Sequence, residues 1–173
     1  DVHMVQIGAH VGFEANDPFG ERMLRYLDML SDKERKKFHW AFVEPSPSNF
    51  KRLAENIANY SHYCDMTGVN AAVVSDSMND TNGMPFYSVS ESVDPETGFD
   101  SRSGKTFPVF ITQVSSFKMK PLNFNRGVWK RMGLQMQDYI VSTNVTTKRY
   151  TELMQDVLTA GTDAPLFVLV DTE

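Results

Sequence analysis

Three short apolar runs separated by two stretches of helical periodicity constrain this chain more than any other feature. Val2, Met4, Val5 and Ile7 make a nearly continuous apolar run that stops at Gly8. Trp40-Ala41-Phe42-Val43 makes a second, halted by Glu44-Pro45, and residues 69–74 make a third. Runs this short, nearly continuous rather than alternating, suit strands buried on both faces of a parallel sheet. After the first run, Asp17-Pro18 offers an N-cap with proline at the first helical position. Phe19, Met23, Tyr26, Leu27 and Leu30 then recur at helical spacing, which predicts a helix over 18–30. Ser46-Pro47 repeats the signal ahead of Phe50, Leu53, Ala54 and Ile57, predicting a second helix over 47–59. Strand, helix, strand, helix, strand is the order of βαβ units with right-handed crossovers, so the fold class is α/β with a mostly parallel sheet.

Beyond residue 75 the pattern dissolves into Ser, Asp, Asn and Gly. Residues 77–106 are expected to form an irregular insertion within a single domain spanning 1–173, with only Met84–Val89 strand-like and 90–105 mobile. Regular structure is expected to resume as a strand over 107–114, a helix within 126–139 and an extended segment over 139–145. Tyr150, Leu153, Met154, Val157 and Leu158 then predict a helix over 147–160, with Gly161 as its C-terminal cap and a final strand after Pro165. Both ends of the chain read as core strands, so the domain is expected to be truncated on its C-terminal side, with the protein continuing past Glu173.

Composition narrows the function classes. A chain of 173 residues with 41% apolar and 23% charged residues is ordinary for a globular domain. A formal charge of -5, with no basic cluster longer than Arg35-Lys36-Lys37, argues against a nucleic-acid partner. The single cysteine, Cys64, has no intramolecular partner and is expected to be a buried, inert thiol. No stretch has the apolar length of a membrane span, so the expectation is a soluble chain, with its compartment left open.

The turn after the first strand reads Gln6-Ile7-Gly8-Ala9-His10-Val11-Gly12. Glycines there permit a tight bend and let a ligand lie against backbone N–H groups. A dinucleotide fold wants G-x-G-x-x-G, and the middle glycine of that pattern is His10, whose side chain crowds the place of a pyrophosphate. Glu44 ends the second buried strand, on the edge where parallel sheets bind ligands, and an acid there accepts hydrogen bonds from ribose hydroxyls. A turn without the phosphate fingerprint, coupled to a ribose-reading acid, favours an adenosyl ligand lacking phosphates. The bland alternatives are an ordinary strand-to-helix turn and a solvated strand-end carboxylate.

Four blocks in order carry a resemblance. They are Val5-Gln6-Ile7-Gly8-Ala9-His10-Val11-Gly12, then Phe42-Val43-Glu44-Pro45-Ser46-Pro47-Ser48-Asn49-Phe50-Lys51-Arg52-Leu53, then Val69-Asn70-Ala71-Ala72-Val73-Val74-Ser75-Asp76, and Phe167-Val168-Leu169-Val170-Asp171-Thr172-Glu173. Together they resemble the FkbM-type S-adenosylmethionine-dependent O-methyltransferases, which implies a Rossmann-like three-layer α/β sandwich. By that resemblance Gln6, Gly8, Ala9, His10 and Gly12 lie along the amino-acid half of S-adenosylmethionine, Glu44 holds its ribose, and Asn70, Ala71 and Ala72 flank its adenine. Asp171 and Glu173 would stand near the methyl group, with His10 a third candidate for a catalytic role, and Gln113-Val114-Ser115-Ser116 would line the acceptor pocket. The chain departs from the family where it carries Gln6 in place of an acid and His10 in place of an asparagine.

The resemblance implies methyl transfer to a hydroxyl of a sugar or other small-molecule or glycan acceptor. Such a reaction needs the acceptor oxygen held in line and its proton accepted by a base, or its acidity raised by a divalent metal, for which no ligand spacing is evident. Two other classes fit the same fold: a catalytically silent scaffold or assembly subunit, and, less well, an NAD(P)-dependent oxidoreductase.

Overall fold

The computed structural model describes residues 1–13, 18–78, 83–113, 115–117, 126–158 and 164–170. In chain order these form β1 (Val2–Ile7), α1 (Pro18–Asp28), α2 (Asp32–Arg35), β2 (Phe38–Val43), α3 (Pro47–Tyr60), β3 (Asp65–Val69) and β4 (Ala72–Val74). There follow β5 (Met84–Val89), α4 (Phe110–Gln113), α5 (Arg126–Arg131), a 3-10 turn (Met136–Asp138), β6 (Ile140–Val145), β7 (Thr147–Arg149), α6 (Tyr150–Val157) and β8 (Leu166–Val170). The chain divides into two compact units, Asp1–Thr81 with Thr146–Thr172, and Asn82–Val145. Among the described residues, no helix is long and apolar enough to cross a membrane.

The first unit is a four-stranded parallel sheet in the order β3-β2-β1-β8. Side chains alternate across it with the strand period of two. Met4, Trp40 and Phe42 point to one face, where Leu27 of α1 and Leu53 of α3 close over them. Val5, Ile7, Ala41 and Val43 point to the other, under Leu153 and Met154 of α6. Helices therefore cover both faces of a mostly parallel sheet, which is why β1 and β2 read as mainly apolar runs. Complete burial of Leu27, Leu53 and Leu153 stabilises the unit by about 1.5–3 kcal/mol each. Cys64 is buried in the α1/α3 core, and its thiol is pushed up to about 12 by that burial and by the neighbouring Asp65.

Several expected boundaries move, each for a local reason. The first helix ends at Asp28, not 30, and the polar link after it holds α2, whose Ser31 and Glu34 form a reciprocal capping box. The run 69–74 is two strands in two sheets. β3 starts earlier, at Asp65, and is half-polar because it is an edge strand. A tight turn, with Ala71 N–H donating to the Val69 carbonyl, then sends β4 to pair with β7. The helix expected from 147 starts at Tyr150, since 147–149 are β7. Its proposed cap, Gly161, lies outside the described residues.

In the second unit β5 and β6 pair antiparallel, Met84 opposite Val145 through Val89 opposite Ile140. Residues 107–113 do not form the expected strand, and Val114 lies outside the described residues. Pro108 and Val109 accept the N–H groups of Ile111 and Thr112, turning the chain into the short α4. The helix expected within 126–139 stops at Arg131, before Gly133 at φ 68°, and the 3-10 turn follows. Residues 90–105, expected to be a mobile insertion, form hydrogen-bonded turns around Asp100, which is wholly buried. Its carboxylate accepts the Arg102 N–H at 3.2 Å, the Ser103 N–H at 2.9 Å and the Tyr139 hydroxyl at 3.1 Å. Burial opposes ionisation of Asp100, but the donors of Ser103, Ser92 and Arg102 outweigh it and hold the carboxyl well below the usual range. Phe107, Trp129 and Tyr139 pack beside it, and a Cβ on Gly98 would come within 2.1 Å of the Phe107 carbonyl oxygen.

Candidate functional site

The chain leaves β1 for α1, passes to β2 and β3 on one side, and returns much later as β8 on the other side of β1. Strand order thus reverses at β1, and the crevice beyond the carboxyl ends of the strands at such a point is the favoured ligand site of open α/β sheets. The turn after β1 occupies this position. Gly8, His10, Gly12 and Phe13 have φ of 81°, 50°, 58° and 51°. Left-handed backbone at His10 and Phe13 costs about 1–2 kcal/mol each and persists only where surroundings fix it.

Those surroundings are specific. Gly8 and Ala9 N–H groups both donate to the Val43 carbonyl, at 2.9 and 3.0 Å, and the Asn56 side chain donates to the Val11 carbonyl at 2.9 Å. A Cβ on Gly12 would meet Leu53 Cδ1 at 2.9 Å, so this glycine is needed to seat the turn on α3. Phe13 packs its ring against Trp40, Phe42 and Tyr60.

Glu44 is the centre of the arrangement. It is 4% exposed, and its Oε2 accepts the His10 N–H at 2.9 Å while Oε1 accepts the Ser46 N–H at 2.8 Å. The buried Asn49, in the first turn of α3, adds a side-chain hydrogen bond, and the N-terminus of that helix favours a nearby anion. The His10 N–H, on this left-handed backbone, is taken by the Glu44 carboxyl. Burial pushes the Glu44 carboxyl up to about 7, against the opposing pull of the Ser46 and His10 N–H groups and Asn49. The Glu44 backbone is fixed too: its N–H donates to the Val69 carbonyl, and the Asn70 amide donates to its carbonyl at 2.7 Å.

The structure brings together Gly8, Ala9, His10, Gly12, Glu44 and Asn70. Asn70 is exposed, Gly8 and His10 are half-buried, and Ala9 and Gly12 are buried. Ala71 and Ala72 are also buried, Ala72 being the first residue of β4. Gln6 is buried within β1, in register with Phe42 and Leu169. Asp171 and Glu173 lie outside the described residues, as do Val114 and the side chain of Gln113; Ser116 pairs its backbone with Tyr87 in the second unit. Among the described residues no group of three or more His, Cys, Asp or Glu is placed to hold a metal ion. Asn49 and Ser46 went unassigned in the sequence; the signal was their place at the start of a helix opening directly after Glu44. Comparison of the chain with protein families, with curated proteins and with solved structures finds no match.

Proposed function

We propose that this chain is an S-adenosylmethionine-dependent methyltransferase of Rossmann-like architecture, acting on a hydroxyl oxygen of a sugar or other small-molecule acceptor. The observation that carries the proposal is the hydrogen bond between Glu44 and the turn after β1, at the point where strand order reverses. Two carboxylate oxygens offer about four acceptor sites. The His10 and Ser46 N–H groups and Asn49 engage part of that capacity, which leaves room for a ribose hydroxyl. A pyrophosphate fits badly, because Glu44 already takes the His10 N–H, one of the donors that phosphates need.

S-Adenosylmethionine supplies a sulfonium-bound methyl group to the acceptor oxygen, whose proton must go to a base. In this proposal Glu44 orients the ribose, and the backbone of Gly8, Ala9 and Gly12 borders the amino-acid half. Asn70, exposed beside Glu44, meets the adenine with Ala71 and Ala72 behind it. His10, half-buried on the turn, is the described side chain assigned to accept the proton; Asp171 and Glu173 are the acids assigned to the same step.

One observation favours a second reading. Glu44 is nearly inaccessible and engaged by its own chain, as it would be in a silent scaffold that keeps the clasp only for stability. Calorimetry with S-adenosylhomocysteine and, separately, NADH tests the proposal. Saturable binding of the former and none of the latter supports it; no heat with S-adenosylhomocysteine at millimolar concentration on folded protein supports the scaffold.

A further inference from the structure

His3 is the one buried histidine among the described residues, at 2% exposure, and neither of its ring nitrogens reaches a hydrogen-bond partner. Buried polar groups are satisfied in the great majority of cases, so two orphaned nitrogens on one ring call for an explanation. The β1–β2 register sets His3 beside His39, and the rings stack with centroids 4.8 Å apart and planes 17° from parallel. The β2–β3 register sets His39 beside Asp65, whose carboxylate lies 2.9 Å from His39 Nδ1. A row of titratable groups, Asp65, His39 and His3, therefore crosses the amino-terminal edge of the sheet, opposite the edge that carries Glu44.

Among the described residues, the other groups facing this row are few. The Asp1 carboxylate stands 3.9 Å from His39 Nε2. From α6 the Val157 backbone favours a protonated His3 ring, though without normal hydrogen-bond geometry, and from β8 the register partner is apolar Leu166. His39 is half-buried, with the Asp65 carboxylate against its Nδ1. A proton on His3 would meet neither solvent nor a hydrogen-bond partner, with a second imidazole at stacking distance. A charge on His3 is then far costlier than its two missing hydrogen bonds. Burial first, and the charge of His39 second, hold His3 below the ordinary histidine range.

We propose that the His3–His39 stack is an acid-sensitive latch, in which protonation below neutral pH releases the amino-terminal half of β1 from β2 and β8. Because β1 also carries the turn at 8–12, opening the latch loosens the strand on which the opposite edge depends. The latch does not rest on the methyltransferase proposal. The sign is fixed by linkage: a histidine whose folded-state ionisation is suppressed binds more protons when unfolded, so its contribution is lost as pH falls below about 6.5.

Two measurements test this on the full 173-residue chain. In the first, chemical denaturation compares the wild type with His3→Phe, which keeps an aromatic ring but cannot titrate; carboxylate effects, including that of Glu44, cancel in the comparison. The folded-to-unfolded ratio of wild type relative to His3→Phe should fall about tenfold between about pH 7.5 and 5.5. In the second, which needs no variant, the ring protons of His3 are followed by NMR across the same range. They should stay those of a neutral ring until the protein opens. A flat stability ratio, or a His3 ring that titrates within the folded state at or above the ordinary histidine value, overturns the proposal.

Discussion

The carboxylate of Glu44 accepts the backbone N–H of His10 at 2.9 Å, joining two turns 34 residues apart in the chain. With the Ser46 N–H on its other oxygen, one buried side chain ties the exit of β1 to the exit of β2 and the start of α3. The same contact shapes whatever ligand the crevice accepts, since it fixes the turn and takes up one of its N–H donors. Asp100 makes an instructive contrast in the second unit. Both carboxylates are buried, yet Asp100 gathers enough donors to stay ionised, whereas for Glu44 burial prevails.

Replacing Glu44 with Gln keeps the side-chain shape but turns an NH2 toward one of the two backbone N–H donors. This leaves a buried donor without an acceptor, a cost of about 1–3 kcal/mol. Denaturant unfolding of E44Q should show that loss with an unchanged slope. The same variant should lose S-adenosylhomocysteine binding while remaining folded.

The pH dependence of Glu44 has a definite sign. Its folded-state carboxyl, near 7, lies above the ordinary glutamate value of 4.5, so the folded protein holds the proton more tightly than the unfolded chain. Its contribution is fully present below about 4.5 and is lost as pH rises through about 7. The stability difference between wild type and E44Q should therefore shrink between about pH 5 and 8. A difference that stays flat over that range means that Glu44 is ionised throughout.

Gly12→Ala places a methyl group 2.9 Å from Leu53 Cδ1 on a backbone at φ 58°. Left-handed strain alone costs about 1–2 kcal/mol. Pairing it with Leu53→Ala, itself worth about 2–5 kcal/mol, should give a double variant more stable than the sum of the single losses implies, because the clash is then removed. Urea denaturation of the four proteins measures that coupling.

Asp100→Asn keeps the volume but replaces an acceptor-only group with one that also donates. The N–H groups of Arg102 and Ser103 and the Tyr139 hydroxyl compete for what remains. A loss of about 2–3 kcal/mol is expected. Amide hydrogen exchange should localise it to 90–105 and the adjoining β6, leaving β1 and β2 protected.

The parts of the fold legible in the sequence were those in which one residue type repeats a physical demand. β1 and β2 were readable because burial on both faces favours apolar residues along most of the strand, interrupted here only by His3, Gln6 and His39. α1 and α3 were readable from proline at their first turns and from Leu27 and Leu53 at helical spacing. β3 was not, because an edge strand reading Asp65-Met66-Thr67-Gly68-Val69 carries no such run. The 90–105 segment was opaque for another reason: its order comes from hydrogen bonds converging on Asp100, including one from Tyr139, and polar turn residues look alike whether organised or not. At the candidate site, the position of Glu44 at a strand end was legible. Its burial, its engagement by His10 and Ser46, and the part played by Asn49 depend on contacts between distant turns.

The most direct test of the central claim follows backbone amides by NMR as S-adenosylhomocysteine is added to the folded chain. A phosphate-free nucleoside at this crevice should perturb the amides of 8–12, Glu44, Ser46 and Asn70 saturably, with NADH leaving them unmoved. Saturating S-adenosylhomocysteine without change at His10 and Ser46, or an equal response to NADH, contradicts the account.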